Sequence, residues 1–151
     1  MIKYNFTELL EVQKNRPPYL MIDEALNIIP GKSADAIKYL KDDDWFFKCH
    51  FPGDPNMPGM LQLEAMSQTA ALSILSLPKN KGKIVYIAKA SDISFKQKVI
   101  SGNKLYVSTK LILWKRGIGK AECKAYVDKK IVSSAKFDLV LNSELENFKV
   151  R

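Results

Sequence analysis

Residues 59–77 read GMLQLEAMSQTAALSILSL, and Pro78 follows directly. Met60, Leu61, Leu63, Met66, Leu72, Ile74, Leu75 and Leu77 favour or tolerate a helix from Gly59, which Pro78 ends. These apolar residues lie nearly all the way round, the pattern of a helix buried on most sides. Gln62, Glu64 and Gln68 interrupt the stretch and argue against a membrane span. Upstream, the segment from Pro52 to Pro58 holds three of the seven prolines, which makes an irregular, stiff loop.

Downstream the pattern changes to strands. Leu105, Val107, Thr109, Leu111 and Leu113 share a face within Lys104 to Leu113. Ala121, Cys123, Ala125 and Val127 alternate with Glu122, Lys124, Tyr126 and Asp128, and Ile131, Ala135, Phe137, Leu139 and Leu141 continue the theme to Leu141. Arg116-Gly117-Ile118-Gly119 and Asp128-Lys129-Lys130 supply the turns. Near the N-terminus, Asn5 followed three residues later by Glu8 marks a capped short helix, stopped by Arg16-Pro17-Pro18. Tyr19 to Ile29 reads as a strand, and Pro30-Gly31 turns into a second at Ser33 to Leu40. One buried helix with a run of antiparallel strands predicts an α+β fold with the sheet wrapped around the helix.

The chain of 151 residues fits one domain over 1–151, with no linker or repeat to divide it. A hydrophobic fraction of 46% and a charged fraction of 26% are those of a soluble globular protein. They exclude a disordered, collagen-like or disulfide-scaffold chain. The net charge of +8 fits nucleic acid, an anionic membrane or an acidic protein or cofactor, without choosing among them. Cys49 and Cys123 are too few for a disulfide framework or a zinc site, and the single histidine, His50, excludes a His-rich metal cluster. Met1-Ile2-Lys3-Tyr4-Asn5 lacks the apolar core of a secretory signal, so a cytoplasmic protein is expected.

The chemistry concentrates between Cys49 and Gln68. His50 opens the proline loop, and Glu64 sits on the apolar helix fourteen residues later. Between them Gly59 starts the helix, where backbone amides are free donors at a positive dipole end. Each part has a plain structural reading: a histidine beside a loop, a half-exposed or lysine-paired glutamate, a Pro-Gly helix start. Together they weigh more, because burying a carboxylate without use is costly.

His50-Phe51-Pro52, Met57-Pro58-Gly59, Glu64-Ala65 and Gln68 closely resemble the signature of the hot-dog-fold (3R)-3-hydroxyacyl-acyl carrier protein dehydratases of type II fatty acid synthesis. The likeness extends over most of the chain. Arg16 to Asp23 resembles that family's opening strand and Trp45-Phe46-Phe47 its approach to the histidine. Ile93 to Gly102 and Lys115 to Lys120 resemble its late strands and hairpin. Four positions depart from the family pattern: Cys49 for glycine, Asn56 for valine, Lys89-Ala90-Ser91 without a glycine, and Ser101 for proline. None removes a catalytic atom; they bear on acyl-chain specificity and efficiency.

The resemblance implies loss of water from a β-hydroxyacyl thioester to give a trans-2-enoyl thioester. His50 would take the α-proton, and Glu64, its carboxyl pKa raised by desolvation, would protonate the leaving hydroxyl. The Gly59 amide would receive charge on the thioester oxygen. Phe51, Met57 and Phe95 would line the acyl tunnel. No metal or redox cofactor is needed, since the phosphopantetheine arm of an acyl carrier protein brings the substrate. Two chains would join their sheets edge to edge, with His50 of one and Glu64 of the other completing each site, and such dimers would assemble into trimers of dimers.

Glutamate at 64 favours a simple dehydratase over the dehydratase-isomerases that resemble this group but carry aspartate there. A hot-dog acyl thioesterase is the nearest alternative enzyme, and His50-Phe51-Pro52 speaks against it. A non-catalytic acyl-binding or nucleic-acid-binding module is the alternative from another class. Lys81, Lys83, Lys96, Lys98, Lys115, Arg116 and Lys120 form no recognised nucleic-acid motif, so neither nucleic acid nor membrane is an expected partner. Lys96 and Lys98 are placed on one face of a strand as a docking rim for an acidic carrier, with Phe95 turned inward. Cys49 is expected at ordinary negative φ, with its thiol packed as a small hydrophobe.

Overall fold

The structure, a computed structural model, describes residues 1–145. The expectation of one domain over 1–151 therefore extends into residues 146–151, outside the described residues. Asn5 caps α1 (Phe6–Val12): its side chain accepts from the Glu8 amide at 2.9 Å, and Glu8 returns a bond to the Asn5 amide. This is the reciprocal cap expected from the Asn5–Glu8 spacing.

Seven strands form one antiparallel sheet: β1 (Ile2–Tyr4), β2 (Glu24–Ile29), β3 (Ser33–Tyr39), β4 (Val85–Phe95), β5 (Lys104–Lys115), β6 (Ile118–Val127) and β7 (Lys130–Leu141). Their order across the sheet is β1-β2-β3-β5-β6-β7-β4. Helix α2 (Gly59–Leu75) lies in its curve and packs on β3, β5, β6 and β7. A short α3 (Asn142–Leu145) follows β7. The α+β expectation of a sheet wrapped around an apolar helix holds. Among the described residues no helix is long and apolar enough to cross a membrane.

Alternation decides the core. Ala121, Cys123, Ala125 and Val127 of β6 are buried, while Lys120, Glu122 and Lys124 between them are exposed. The inward residues meet Met66, Ala70 and Ile74 of the helix in one continuous core. Burial of Cys123 pushes its thiol well above the usual range, with the Glu122 charge adding to the effect. Two expected positions differ. Leu113 is exposed because the β5–β6 register shifts between Leu111 and Leu113. Ile131 is only half-buried, and Val132 and Ser133 are both buried, where the β6–β7 register slips at Ala125/Tyr126.

The strand expected over Tyr19 to Ile29 begins only at Glu24. The Asp23 amide still reaches β3 at the Ile37 carbonyl, but the donors of Leu20 and Met21 are spent elsewhere. The Leu20 amide bonds back to the Arg16 carbonyl, and the Met21 amide donates to the Gln68 side chain at 2.8 Å. Helix α2 thus takes the backbone groups a sheet partner would have used. At the other edge, β4 pairs with β7 alone among the described residues, and Tyr86, Ile87, Ile93 and Phe95 are exposed along it.

On the outer face, the Tyr106 hydroxyl donates to Asp35 Oδ2 at 2.6 Å, and Asn27 donates to the same oxygen at 3.1 Å. Burial, then the bond to Asp35 and its charge, push the Tyr106 phenol from 10.0 up to about 12. A folded value above the unfolded one means the contribution to stability is whole below pH ~10 and lost as pH rises toward ~12. Urea unfolding should therefore show the wild type more stable than Tyr106→Phe at pH 7. That difference should shrink above pH ~10. A difference that stayed constant or grew with pH would contradict this assignment.

Candidate active site

Proline and turn residues fix the histidine. The chain from Trp45 to Cys49 turns back on itself, and the His50 amide donates to the Phe46 carbonyl at 2.9 Å. Phe46 and Phe47 are buried and anchor that turn in the core. His50 Nδ1 lies 3.0 Å from the Asn56 carbonyl oxygen. A carbonyl oxygen only accepts, so Nδ1 carries a proton in this contact, and in the neutral ring Nε2 is the nitrogen with a free lone pair. The ring of Phe51 stacks tilted on the imidazole, with centroids 4.0 Å apart, and is itself exposed. It is the Asn56 backbone that meets the histidine, while the Asn56 side chain donates to the Asp54 carbonyl at 3.0 Å. The departure from valine therefore leaves the His50 contact unaltered.

Glu64 stands in the second turn of α2, half-buried. Gln68, one turn on, donates from Nε2 to Glu64 Oε1 at 2.9 Å and to the Tyr19 carbonyl at 2.9 Å. Burial first, then the charge of nearby Glu64 and a polar interaction with its side chain, raise the Tyr19 phenol. Gln68 thus holds one oxygen of the carboxyl, and the Tyr19 hydroxyl lies near it. Neither role was read from the sequence, although the i, i+4 spacing of Glu64 and Gln68 was the available signal.

The helix start borders a cleft of about 510 Å³, lined by Asn56, Met57, Gly59, Met60, Gln62, Phe95, Lys96, Gln97 and Lys98. As the first residue of α2, Gly59 has an amide without an intrahelical acceptor. Its α-carbon faces the Phe95 ring so closely that an added Cβ would stand 2.9 Å from that ring. Met57 is buried, and its amide donates to the Val99 carbonyl at 2.7 Å.

Met57, Gly59, Phe95, Lys96 and Lys98 therefore share one cleft. His50, Phe51 and Glu64 do not line it; Glu64 faces a separate hollow with Asn15, Ser67, Tyr86 and Ile87. No hydrogen bond or ion pair joins His50 to Glu64 within the chain among the described residues.

Three expectations need correction. Strand β4 ends at Phe95, so Lys96 and Lys98 are not on a strand. The Lys96 amide still bonds the Val132 carbonyl, but beyond it the segment leaves the sheet to meet Met57 through Val99. Phe95 is not turned fully inward: it is 48% exposed at the cleft mouth. Cys49 is not packed as a small hydrophobe. It has no positive φ, as expected, yet it is exposed, with Sγ 3.4 Å from the Phe46 carbonyl. The tight turn at residues 45–50 points it outward while Phe46 and Phe47 fill the space inside.

The FabA-like domain profile matches residues 14–136. The 3-hydroxyacyl-[acyl-carrier-protein] dehydratase FabZ of Caldicellulosiruptor saccharolyticus is 41% identical over 129 residues, 85% of this chain and 92% of that protein. The FabZ dehydratase of Alkaliphilus metalliredigens is 36% identical over 140 residues, 93% of this chain and 95% of that one. The chain belongs to the FabZ dehydratase family. Among solved structures, the dehydratase heterocomplex ApeI:P from Xenorhabdus doucetiae superposes on this FabZ family member with a TM-score of 0.75. It covers 92% of this chain and 95% of that chain at 13% identity. Protein PH1136 of Pyrococcus horikoshii gives 0.66 at 19% identity, over 93% and 95% of the two chains. At these identities the likeness is one of fold, and it agrees with the hot-dog architecture of the FabZ family member described above.

Proposed function

We propose that the protein dehydrates (3R)-3-hydroxyacyl-acyl carrier protein to the trans-2-enoyl thioester in fatty acid biosynthesis. The observation that carries this reading is the FabZ relationship over nearly the whole chain. His50 Nε2 takes the proton from C2 of the substrate. The C3–O bond breaks as the Glu64 carboxyl, in its protonated form, gives its proton to the departing hydroxyl, and water leaves. Charge gathering on the thioester oxygen is met by the Gly59 amide at the positive end of α2. The Nδ1 contact with Asn56 supports His50 as the base, and the Gln68 bond supports Glu64 as the oriented acid. The elimination moves no electrons to an acceptor and requires neither a metal nor a redox cofactor. Formation of enoyl-thioester absorbance from a (3R)-3-hydroxyacyl carrier thioester tests the proposal.

A second copy of the chain completes the site. Its support is the separation of His50 from Glu64, together with the unpaired β4 edge carrying Tyr86, Ile87 and Ile93. Pairing β4 with its counterpart covers that edge and forms a homodimer with shared sites, which assembles further into trimers of dimers.

The carrier docks at the rim formed by Lys96 and Lys98. Both line the cleft that contains Gly59, and Lys98 is ion-paired to Asp54 at 2.8 Å. That pairing shares out the Lys98 charge, so Lys96 carries more of the attraction. Reversing both to glutamate should raise the apparent KM for acyl carrier substrate and flatten its salt dependence, since rim charges act on encounter over a Debye length of about 8 Å. Lys96→Glu alone should produce most of the effect. Turnover of a short pantetheine thioester should change little; equal losses on both substrates would exclude docking at this rim.

A further inference from the structure

Gln62 is out of keeping with its surroundings. It is 3% exposed in the first turns of an apolar helix, where leucine or methionine would cost nothing. Its Nε2 donates to the Met57 carbonyl at 3.3 Å, while its Oε1 is buried without a hydrogen-bond partner among the described residues. A buried amide satisfied on one side only is destabilising relative to an apolar side chain of the same shape. Helix stability therefore does not account for it.

The group it holds lies one peptide plane from the thioester-binding amide. The Met57 carbonyl belongs to the Met57–Pro58 peptide plane, and the Gly59 N–H belongs to the Pro58–Gly59 plane. Pro58 joins the two with φ fixed by its ring at −52°, so only its ψ, 136°, relates them. The second plane is held by the Pro58 carbonyl, which accepts from the amides of Leu61 at 3.0 Å and Gln62 at 3.1 Å. The first is held by the Gln62 side chain on the Met57 carbonyl, while the Met57 amide, which belongs to the preceding plane, bonds the Val99 carbonyl. Gln62 grips both planes, one through its backbone and one through its side chain.

We propose that Gln62 is a positioning residue that sets the direction of the Gly59 amide through the Met57 carbonyl. This rests on the dehydratase reading above. Because the amide is used for charge that develops in the transition state, its misdirection lowers kcat more than it raises KM.

Gln62→Leu and Gln62→Glu test this in steady-state dehydration of a (3R)-3-hydroxyacyl pantetheine thioester, with folding checked by circular dichroism. Gln62→Leu should lower kcat by about 10- to 100-fold, the scale of a small misplacement, with a much smaller change in KM. Gln62→Glu should show a signature that packing alone does not produce. A protonated carboxyl donates to the Met57 carbonyl as the amide does, whereas the ionised form presents only acceptors to it. The ratio of variant to wild-type kcat should therefore be near one at low pH and fall as pH rises. Lys96, Lys98 and Asp54 at the cleft, and His50 and Glu64, are present in both proteins, so the ratio removes their titrations. A Gln62→Leu kcat within about twofold of wild type, or a Gln62→Glu ratio flat with pH, would overturn the proposal. If Gln62→Leu does not fold, the Gln62→Glu ratio alone decides. Wild-type protein that formed no enoyl thioester would overturn the dehydratase reading itself and this inference with it.

Discussion

Replacing His50 with alanine, or Glu64 with glutamine, should lower kcat by about 10²–10⁴-fold in each case, the range for loss of a positioned acid or base. Both variants should stay folded. His50 is held through its backbone amide to Phe46, and Phe46 and Phe47 keep the turn buried without the imidazole. Glutamine at 64 keeps an oxygen that accepts from Gln68, so the contacts that tie α2 to Tyr19 and Met21 survive. The lesion is therefore confined to proton transfer. Circular dichroism and urea midpoints near those of wild type, together with the loss of enoyl-thioester formation, are the expected pair of results. Near-normal turnover in either variant would show that the residue does not carry the proton.

The second large effect is its reversal by mixing. If each site takes His50 from one chain and Glu64 from the other, a dimer of one His50→Ala chain and one Glu64→Gln chain holds one intact site and one doubly damaged site. Random re-pairing of equal amounts after dissociation makes half the dimers mixed, so activity should rise from near zero to about a quarter of wild type. The physical ground is the geometry of the single chain. Glu64 faces a hollow with Tyr86 and Ile87 beside the β4 edge, while His50 lies in the loop ahead of α2. Verified mixed dimers that remained inactive would exclude the shared site.

The parts legible in the sequence are those where one physical demand acts on consecutive residues. Strand β6 alternates because one face meets α2 and the other meets water, and α2 reads as buried because the sheet curves around it. Strand β4 was obscured for the opposite reason. As the edge strand, it leaves Tyr86, Ile87, Ile93 and Phe95 exposed in the single chain, so no period of two marks it. The strand expected across Ile93 to Gly102 therefore ran past Phe95, where the chain turns to support Met57.

At the candidate site, His50, Glu64 and Gly59 stand out in the sequence because their residue types suit the proposed chemistry. Their supports do not: the Asn56 carbonyl that orients His50 is a backbone group any residue provides. Tyr19 reaches Glu64 across 45 residues of sequence, a contact that only the fold creates. Gln62 reads in the sequence as an interruption of an apolar helix, and its bond to the Met57 carbonyl exists only in the folded chain.

The central claim is an elimination at a thioester that stays intact. Purified protein mixed with (3R)-3-hydroxyacyl-acyl carrier protein, with enoyl absorbance and free thiol followed in the same cuvette, tests it most directly. The account predicts that absorbance of the conjugated thioester rises to an equilibrium level while no thiol appears. Thiol release without that rise would mean that water attacks the thioester carbonyl, and that the protein is a thioesterase built on the same fold.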